Sequence, residues 1–201
     1  MKTDYLLFDE PEYKVIAGTD EAGRGPLAGP VCAACVVLPD DFPFEILRDS
    51  KKLSESKRNE AEKIIKEKAV SYAVAWSSHD EIDRINILNA SLLAMRRALS
   101  SVIRDMEKRN LQIPEILYID GNRTFDCPIP CQAIVKGDDK IHEIMAASIL
   151  AKTARDRYMK EASLKWPQYG FDKHSGYPTA AHKEALRKFG PCPIHRLTFK
   201  F

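Results

Sequence analysis

Short apolar runs, three of which end at or within three residues of an acid, alternate along this chain with longer stretches whose apolar residues recur every three or four positions. A period of two alternates side chains across a sheet, and a period of 3.6 gathers them on one helix face. The alternation therefore predicts an α/β domain. Residues 13–20 and 31–38 read as strands joined by a Gly/Pro-rich turn over 21–30, longer than a usual hairpin loop. Val70, Tyr72, Val74 and Trp76 alternate with smaller residues as a third strand. A fourth, 116–119, runs into Asp120-Gly121, and a fifth, 132–135, delivers Lys136-Gly137-Asp138-Asp139.

Between these runs lie the helices. Residues 39–52 are irregular, and Ser54 then stands in N-cap position for a helix to about 68, with Ala61, Ile64, Ile65 and Lys68 along one face. A long helix is expected over 86–109, where Leu88, Leu92, Met95, Leu99, Val102, Ile103 and Met106 keep the helical period, before Pro114 breaks the chain. The segment 141–162 is rich in small residues (Ala146, Ala147, Ser148, Ala151, Ala154), so its helix can lie close against a sheet, and one more amphipathic helix is expected over 179–188. The expectation is a mixed sheet with helices on both faces, a single domain over 1–201, with 160–201 as a small helical C-terminal lobe.

Composition excludes little. With 44% apolar and 30% charged residues the chain is an ordinary globular one, and a net charge of +2 is only a faint hint of an anionic partner. The N-terminus lacks a basic-then-apolar leader, and no apolar run approaches the ~18–20 residues that cross a bilayer. Five cysteines, an odd number in a chain large enough to fold without staples, favour a reduced, cytoplasmic protein, expected as a monomer.

The acids at the strand ends carry chemistry. Asp20-Glu21, Asp120 and Asp138-Asp139 each follow an apolar run, and in open α/β sheets ligands bind beyond the carboxyl ends of the strands. Two carboxylates ~4 Å apart at an effective dielectric of ~20 repel by ~4 kcal/mol, so such a cluster must share protons or bind a cation. Oxygen-only ligation favours Mg²⁺ or Mn²⁺ over zinc, and two such ions can serve an in-line phosphodiester displacement. Asp-Gly and Gly-Asp are also plain turn chemistry. In addition, Asp20 and Glu21 would face opposite sides of a regular strand unless it has twisted or ended there.

The motifs narrow this further. Asp20-Glu21-Ala22-Gly23-Arg24-Gly25-Pro26-Leu27-Ala28-Gly29-Pro30 resembles the signature of the ribonuclease HII family. Asp49-Ser50-Lys51-Lys52-Leu53-Ser54, Ile119-Asp120-Gly121-Asn122, Lys136-Gly137-Asp138 and the run from Ala146 to Lys152 with Arg155-Asp156 are similar to further family segments. The stretch from Gly170 to Tyr177 and the terminal His195-Arg196 complete the likeness. The related ribonuclease HIII lacks the Gly-Arg-Gly string. The resemblance implies a ribonuclease H-like fold and Asp20, Glu21, Asp120 and Asp138 as catalytic metal ligands, Asp139 being an extra neighbouring acid. It implies cleavage on the 5′ side of a ribonucleotide, leaving a 3′-hydroxyl and a 5′-phosphate. The implied substrates are RNA–DNA hybrids and duplex DNA containing ribonucleotides. Backbone amides of Gly23, Arg24 and Gly25 could bond the 2′-hydroxyl that tells RNA from DNA, because glycine lets the chain approach a sugar. Tyr177 matches a family tyrosine that stacks on a sugar at the RNA–DNA junction. Lys51, Lys136, Lys152 and Arg155 are candidate phosphate contacts, which position a duplex without reading it. Lys57-Arg58 and Arg96-Arg97 read as solvated.

Other signals are weaker. Cys32-x-x-Cys35 with Cys127 and Cys131 imitates a four-thiolate zinc site, but residues three apart in a strand face opposite sides. The five histidines show no ligand spacing and read as structural, with His174 near enough to Tyr177 to touch substrate. Two rival functions fit the same acids: a DNA-junction nuclease of the same fold, and a duplex-binding protein with a dead site. The first gives no reason for Gly23-Arg24-Gly25 and Tyr177. The second gives no reason for keeping all four carboxylates.

Overall fold

The computed structural model describes residues 13–47 and 54–200. Within them a five-stranded sheet runs in the order β3-β2-β1-β4-β5, with β1 Ile16–Ala22, β2 Val31–Val37, β3 Ser71–Ser77, β4 Ile116–Asp120 and β5 Cys131–Ile134. The first three strands pair antiparallel, whereas β4 lies parallel to β1 and β5 parallel to β4. The expected hairpin, mixed sheet and α/β class are all present.

β2 shows how the sheet divides its two cores. Val31, Ala33, Cys35 and Val37 enter the cluster under α2 (His79–Lys108), while Cys32, Ala34 and Val36 enter the cluster under α1 (Glu55–Lys68) and α3 (His142–Lys165). Helices thus cover both faces, and Cys32 and Cys35 point apart as strand geometry requires. The small residues of α3 let it sit close on β1. A Cβ built on Gly18 would stand 2.4 Å from both the carbonyl carbon of Glu143 and the amide nitrogen of Ile144.

Two boundaries differ from expectation. α2 starts at His79, earlier than the expected 86, because Ser78 and Glu81 form a reciprocal capping box. The expected start survives as a kink: Asn86 has φ 65° and its side chain accepts from the Asn89 amide at 3.1 Å, capping the second segment. α3 runs to Lys165, past the expected lobe boundary near 160. Beyond it, the short helix α4 (Phe171–His174) and α5 (Ala180–Phe189) pack Tyr169, Phe171, Leu186 and Ile194 onto Leu27 and Ala28 of the β1–β2 turn. The segment beyond α3 thus shares a core with that turn. Among the described residues no helix is long and apolar enough to cross a membrane.

Candidate active site

The parallel register of β1 and β4 brings the first two acids level. Thr19 pairs with Ile119, so one residue further on Asp20 comes beside Asp120. Asp20 is only 6% exposed. Its pKa is pushed well above the ordinary carboxylate range, first by burial and then by the charges of Glu21 and Asp120, against hydrogen bonds from the Ser148 hydroxyl and the Glu21 amide. Glu21 is likewise raised by burial, with Arg24 pulling it down and Asp120 pushing it up. Arg24 Nη1 donates to Glu21 Oε1 at 3.1 Å. Both neighbours in sequence therefore feel Asp120, although a regular pleat would separate them. The β1–β4 pairing stops at Thr19 while β1 continues to Ala22, so Glu21 stands beyond the β1–β4 ladder while still paired with Ala33 of β2.

The fourth acid arrives on a turn. Lys136 adopts the left-handed conformation (φ 56°) and starts a 3₁₀ turn, Gly137–Asp139. The amides of Gly137 and Asp138 both donate to Asp120 Oδ1, at 2.7 and 3.3 Å. Asp138 is 7% exposed, whereas Asp139 faces solvent. A Cβ on Gly137 would meet Ile144 at 2.5 Å, so glycine there lets the turn press against α3.

These donors fit a hard divalent cation. Three mutually repelling carboxylates at one sheet end are what a cation relieves, and all-oxygen ligation suits Mg²⁺ or Mn²⁺. Among the described residues no group of three or more acidic, imidazole or thiol side chains stands close enough together to hold a metal ion as they lie. The acids stand as neighbours, and Asp138 is joined to the others through its backbone.

Beside them opens a cleft of about 370 Å³ lined by Glu21, Gly23, Gly25, Ser148, Lys152 and Tyr177. Gly23 has φ 101°, and a Cβ there would overlap the Arg155 side chain at 2.0 Å, so only glycine fits. The Tyr177 ring, 45% exposed, lies over Gly25, its Cε1 3.3 Å from where a Cβ would be. Lys152 reaches the cleft with its Nζ 2.6 Å from Asp156 Oδ1, and Lys136 is exposed at the start of its turn. Lys51 lies outside the described residues.

One expected phosphate contact needs correcting. Arg155 is 2% exposed, and its guanidinium donates to the carbonyls of Pro30, Ser175 and Ala28 at 3.1, 3.0 and 3.1 Å. It is a buried clamp because its three nitrogens are already engaged. Arg58, expected as merely solvated, instead lines the cleft with its Nη2 3.8 Å from Asp156 Oδ2. Arg97 is half-engaged too, donating to the Trp76 carbonyl at 2.7 Å and pairing with Glu81. Sequence reasoning also missed Ser148, which looked like one more small packing residue. Only its place over the Asp20 face of β1 reveals the hydroxyl's task.

A mixed sheet of this order, carrying acids at the ends of neighbouring strands and on the turn into a covering helix, defines a nuclease of the ribonuclease H class. The Ribonuclease HII family matches residues 17–201. Ribonuclease HII of Dechloromonas aromatica is 52% identical over 186 residues, 92% of this chain and 90% of that protein. That of Neisseria gonorrhoeae is 52% identical over 184 residues, 91% of each. The solved ribonuclease H2 from Pyrococcus horikoshii superposes with a TM-score of 0.74 at 25% identity, covering 92% of this chain and 94% of that one. A Mn²⁺ complex of Bst-RNase HIII shares the fold at TM-score 0.69 and 19% identity, covering 92% of this chain and 67% of that one. The chain belongs to the ribonuclease HII family: it is an endonuclease that hydrolyses RNA in RNA–DNA hybrids.

Proposed function

We propose that Asp20, Glu21, Asp120 and Asp138 hold Mg²⁺ or Mn²⁺, and that the enzyme cuts on the 5′ side of a ribonucleotide. The products carry a 3′-hydroxyl and a 5′-phosphate. Substrates are RNA–DNA hybrids and duplex DNA containing single ribonucleotides. The observation that carries this reading is the adjacency of the acidic cluster to a cleft walled by Gly23, Gly25 and Tyr177.

Divalent cations bound to the four carboxylates would supply Lewis-acid activation of water and neutralise charge on the phosphate and leaving oxygen. The chain's own residues place the substrate. Amides of the Gly23–Gly25 turn face a ribose at a distance that side chains would forbid. The Tyr177 ring offers a flat apolar surface to the neighbouring sugar. Lys152 and Lys136 supply positive charge to phosphates along the duplex, as Lys51 would from its matched segment. Asp20 is held through Ser148 and the Glu21 amide, and Asp120 through two amides, so both carboxylates are oriented before substrate arrives.

All five cysteines are unpaired, which supports a cytoplasmic setting, and we read the enzyme as a monomer. The deciding experiment maps products on duplex DNA bearing one ribonucleotide, with Mg²⁺ and Mn²⁺ in turn. Cleavage 5′ to the ribonucleotide with an intact all-DNA control is expected. Equal cutting of the all-DNA duplex would overturn the reading.

A further inference from the structure

The adjacent residues His195 and Arg196 reach both walls of the cleft from behind. Arg196 is 0% exposed, and its Nη2 donates to the Gly23 carbonyl at 2.6 Å, its Nη1 to that of Arg24 at 2.9 Å and its Nε to that of Gly29 at 2.9 Å. A trans peptide points its C=O and the following N–H in opposite directions. The carbonyls of Gly23 and Arg24 turn inward to the guanidinium, so the amides of Arg24 and Gly25 turn outward. These are two of the three amides assigned to the ribose hydroxyl. A guanidinium taken wholly out of water is tolerated only where its donors are satisfied, and here the carbonyls that satisfy them belong to the loop that walls the cleft.

His195 acts on the other wall through His182. The Tyr177 carbonyl can only accept, so His182 Nδ1, 2.9 Å away, carries a proton. Neutral His182 then has a bare Nε2, which lies 3.0 Å from His195 Nε2 and must accept from it. His195 Nδ1 is consequently unprotonated and accepts from the Cys192 amide at 2.8 Å. This set of tautomers satisfies the links from Tyr177 to the Cys192 amide; the Cys192 carbonyl, 3.2 Å from the bare His195 Nδ1, accepts instead from the His195 amide at 3.0 Å. Burial keeps both rings neutral, lowering the pKa of His182 and bringing that of His195 down to about 4. His174 closes the turn: its carbonyl accepts from the Tyr177 amide at 2.9 Å, and its ring stacks on His182 with centroids 4.7 Å apart.

We propose that His195 and Arg196 are positioning residues that fix the amides of the Gly23–Gly25 turn relative to Tyr177, and so set the enzyme's preference for ribose over deoxyribose. The inference rests on the reading of the cleft as the ribose site.

The test is equilibrium binding by fluorescence anisotropy, with Ca²⁺ replacing the catalytic ion, to two duplexes that differ by one 2′-hydroxyl. A merely structural role lowers the folded fraction and weakens both duplexes alike, leaving the ratio of their affinities unchanged. Arg196→Lys, which keeps charge but loses the fork, should lower the ratio about fivefold, the scale of one lost hydrogen bond. His195→Asn keeps an acceptor for Cys192 but cuts the relay to His182, and should lower the ratio in the same sense. It carries the test alone should Arg196→Lys not fold. Gly25→Ala and Tyr177→Ala serve as references. If they lower the ratio while the positioning variants leave it at the wild-type value, this inference fails and the cleft assignment stands. If the references leave it unchanged, the cleft assignment itself fails.

Discussion

Gly18→Ala is expected to be among the most damaging single methyl additions this fold can receive. The new Cβ would stand 2.4 Å from the Glu143 carbonyl carbon and the Ile144 nitrogen, both backbone atoms at the start of α3. Ordinary carbon contacts lie at ~3.5–4 Å, so helix and strand must separate by roughly 1 Å or more along the seam where α3 covers β1 and β2. Neither side can yield by a rotamer change, which puts the cost at the upper end of the overpacking range, about 3 kcal/mol. For a domain of this size each kcal/mol moves Tm by ~2–4 °C, so a fall of about 6–12 °C is expected. Calorimetry or thermal circular dichroism measures it. Activity should fall at temperatures where the variant is still folded, because the same retreat carries Ser148 away from Asp20 and loosens the Gly137–Asp139 turn. A variant melting within ~2 °C of wild type would refute the tight seam.

Three further outcomes follow from the structure. Asp120→Asn should lower cleavage by roughly 10²–10³ or more, the scale of losing preorganised charge stabilisation, while affinity for a hybrid duplex in Ca²⁺ stays near wild type. Single-turnover rates beside anisotropy decide it, and normal cleavage would remove Asp120 from the site. Burial raises the Glu143 pKa from 4.5 to about 7, so the folded state binds the proton more tightly than the unfolded one. Stability is fully present below pH 4.5 and lost as pH rises toward 7 and above. Glu143→Gln should thus raise Tm at pH 8 and leave it nearly unchanged at pH 4.5; equal shifts at both would exclude titration of this carboxyl. Cys32 and Cys35 are fully buried in β2 whereas Cys127 and Cys131 are half-buried, so a thiol reagent should reach Cys127 and Cys131 in the native protein, slowly because burial also pushes the Cys127 thiol up to about 12, and Cys32 and Cys35 only after unfolding. Rapid native labelling of all of them would contradict the packed β2 strand.

Where local pattern decides structure, the chain could be read directly. The alternation in β3, the Ser54 cap of α1 and the small residues of α3 each act through neighbours in sequence, and each falls within a residue or two of where its pattern places it. The first turns of α2 escaped because 79–85 holds too few apolar residues to show a period, although Ser78 and Glu81 carry the capping signal. Arg155 and Arg58 exchanged their expected settings for a different reason. Arginine looks alike at a surface and in a core, and only the carbonyls of Pro30 and Ala28, more than a hundred residues away in sequence, make Arg155 internal. Ser148 and Arg196 stood in matched segments, but what they touch was hidden on the same ground, since their partners are assembled by tertiary packing.

The site depends on a conflict that the fold itself sustains. Parallel pairing of β1 with β4 levels Asp20 with Asp120, and the tight α3–β1 seam brings the Gly137–Asp139 turn down beside them. Each step buries apolar surface and each step also drives carboxylates together, so the raised pKa values of Asp20 and Glu21 are a by-product of good packing. The cation proposed for these carboxylates would remove the repulsion without disturbing the core, so that stabilising the fold and binding the ion would act in the same direction. The recognition cleft follows the same economy. The turn that leaves β1 is anchored by Arg155 and Arg196 from behind and its carbonyls are turned inward, so the amides left facing outward are the consequence of a buried hydrogen-bond arrangement.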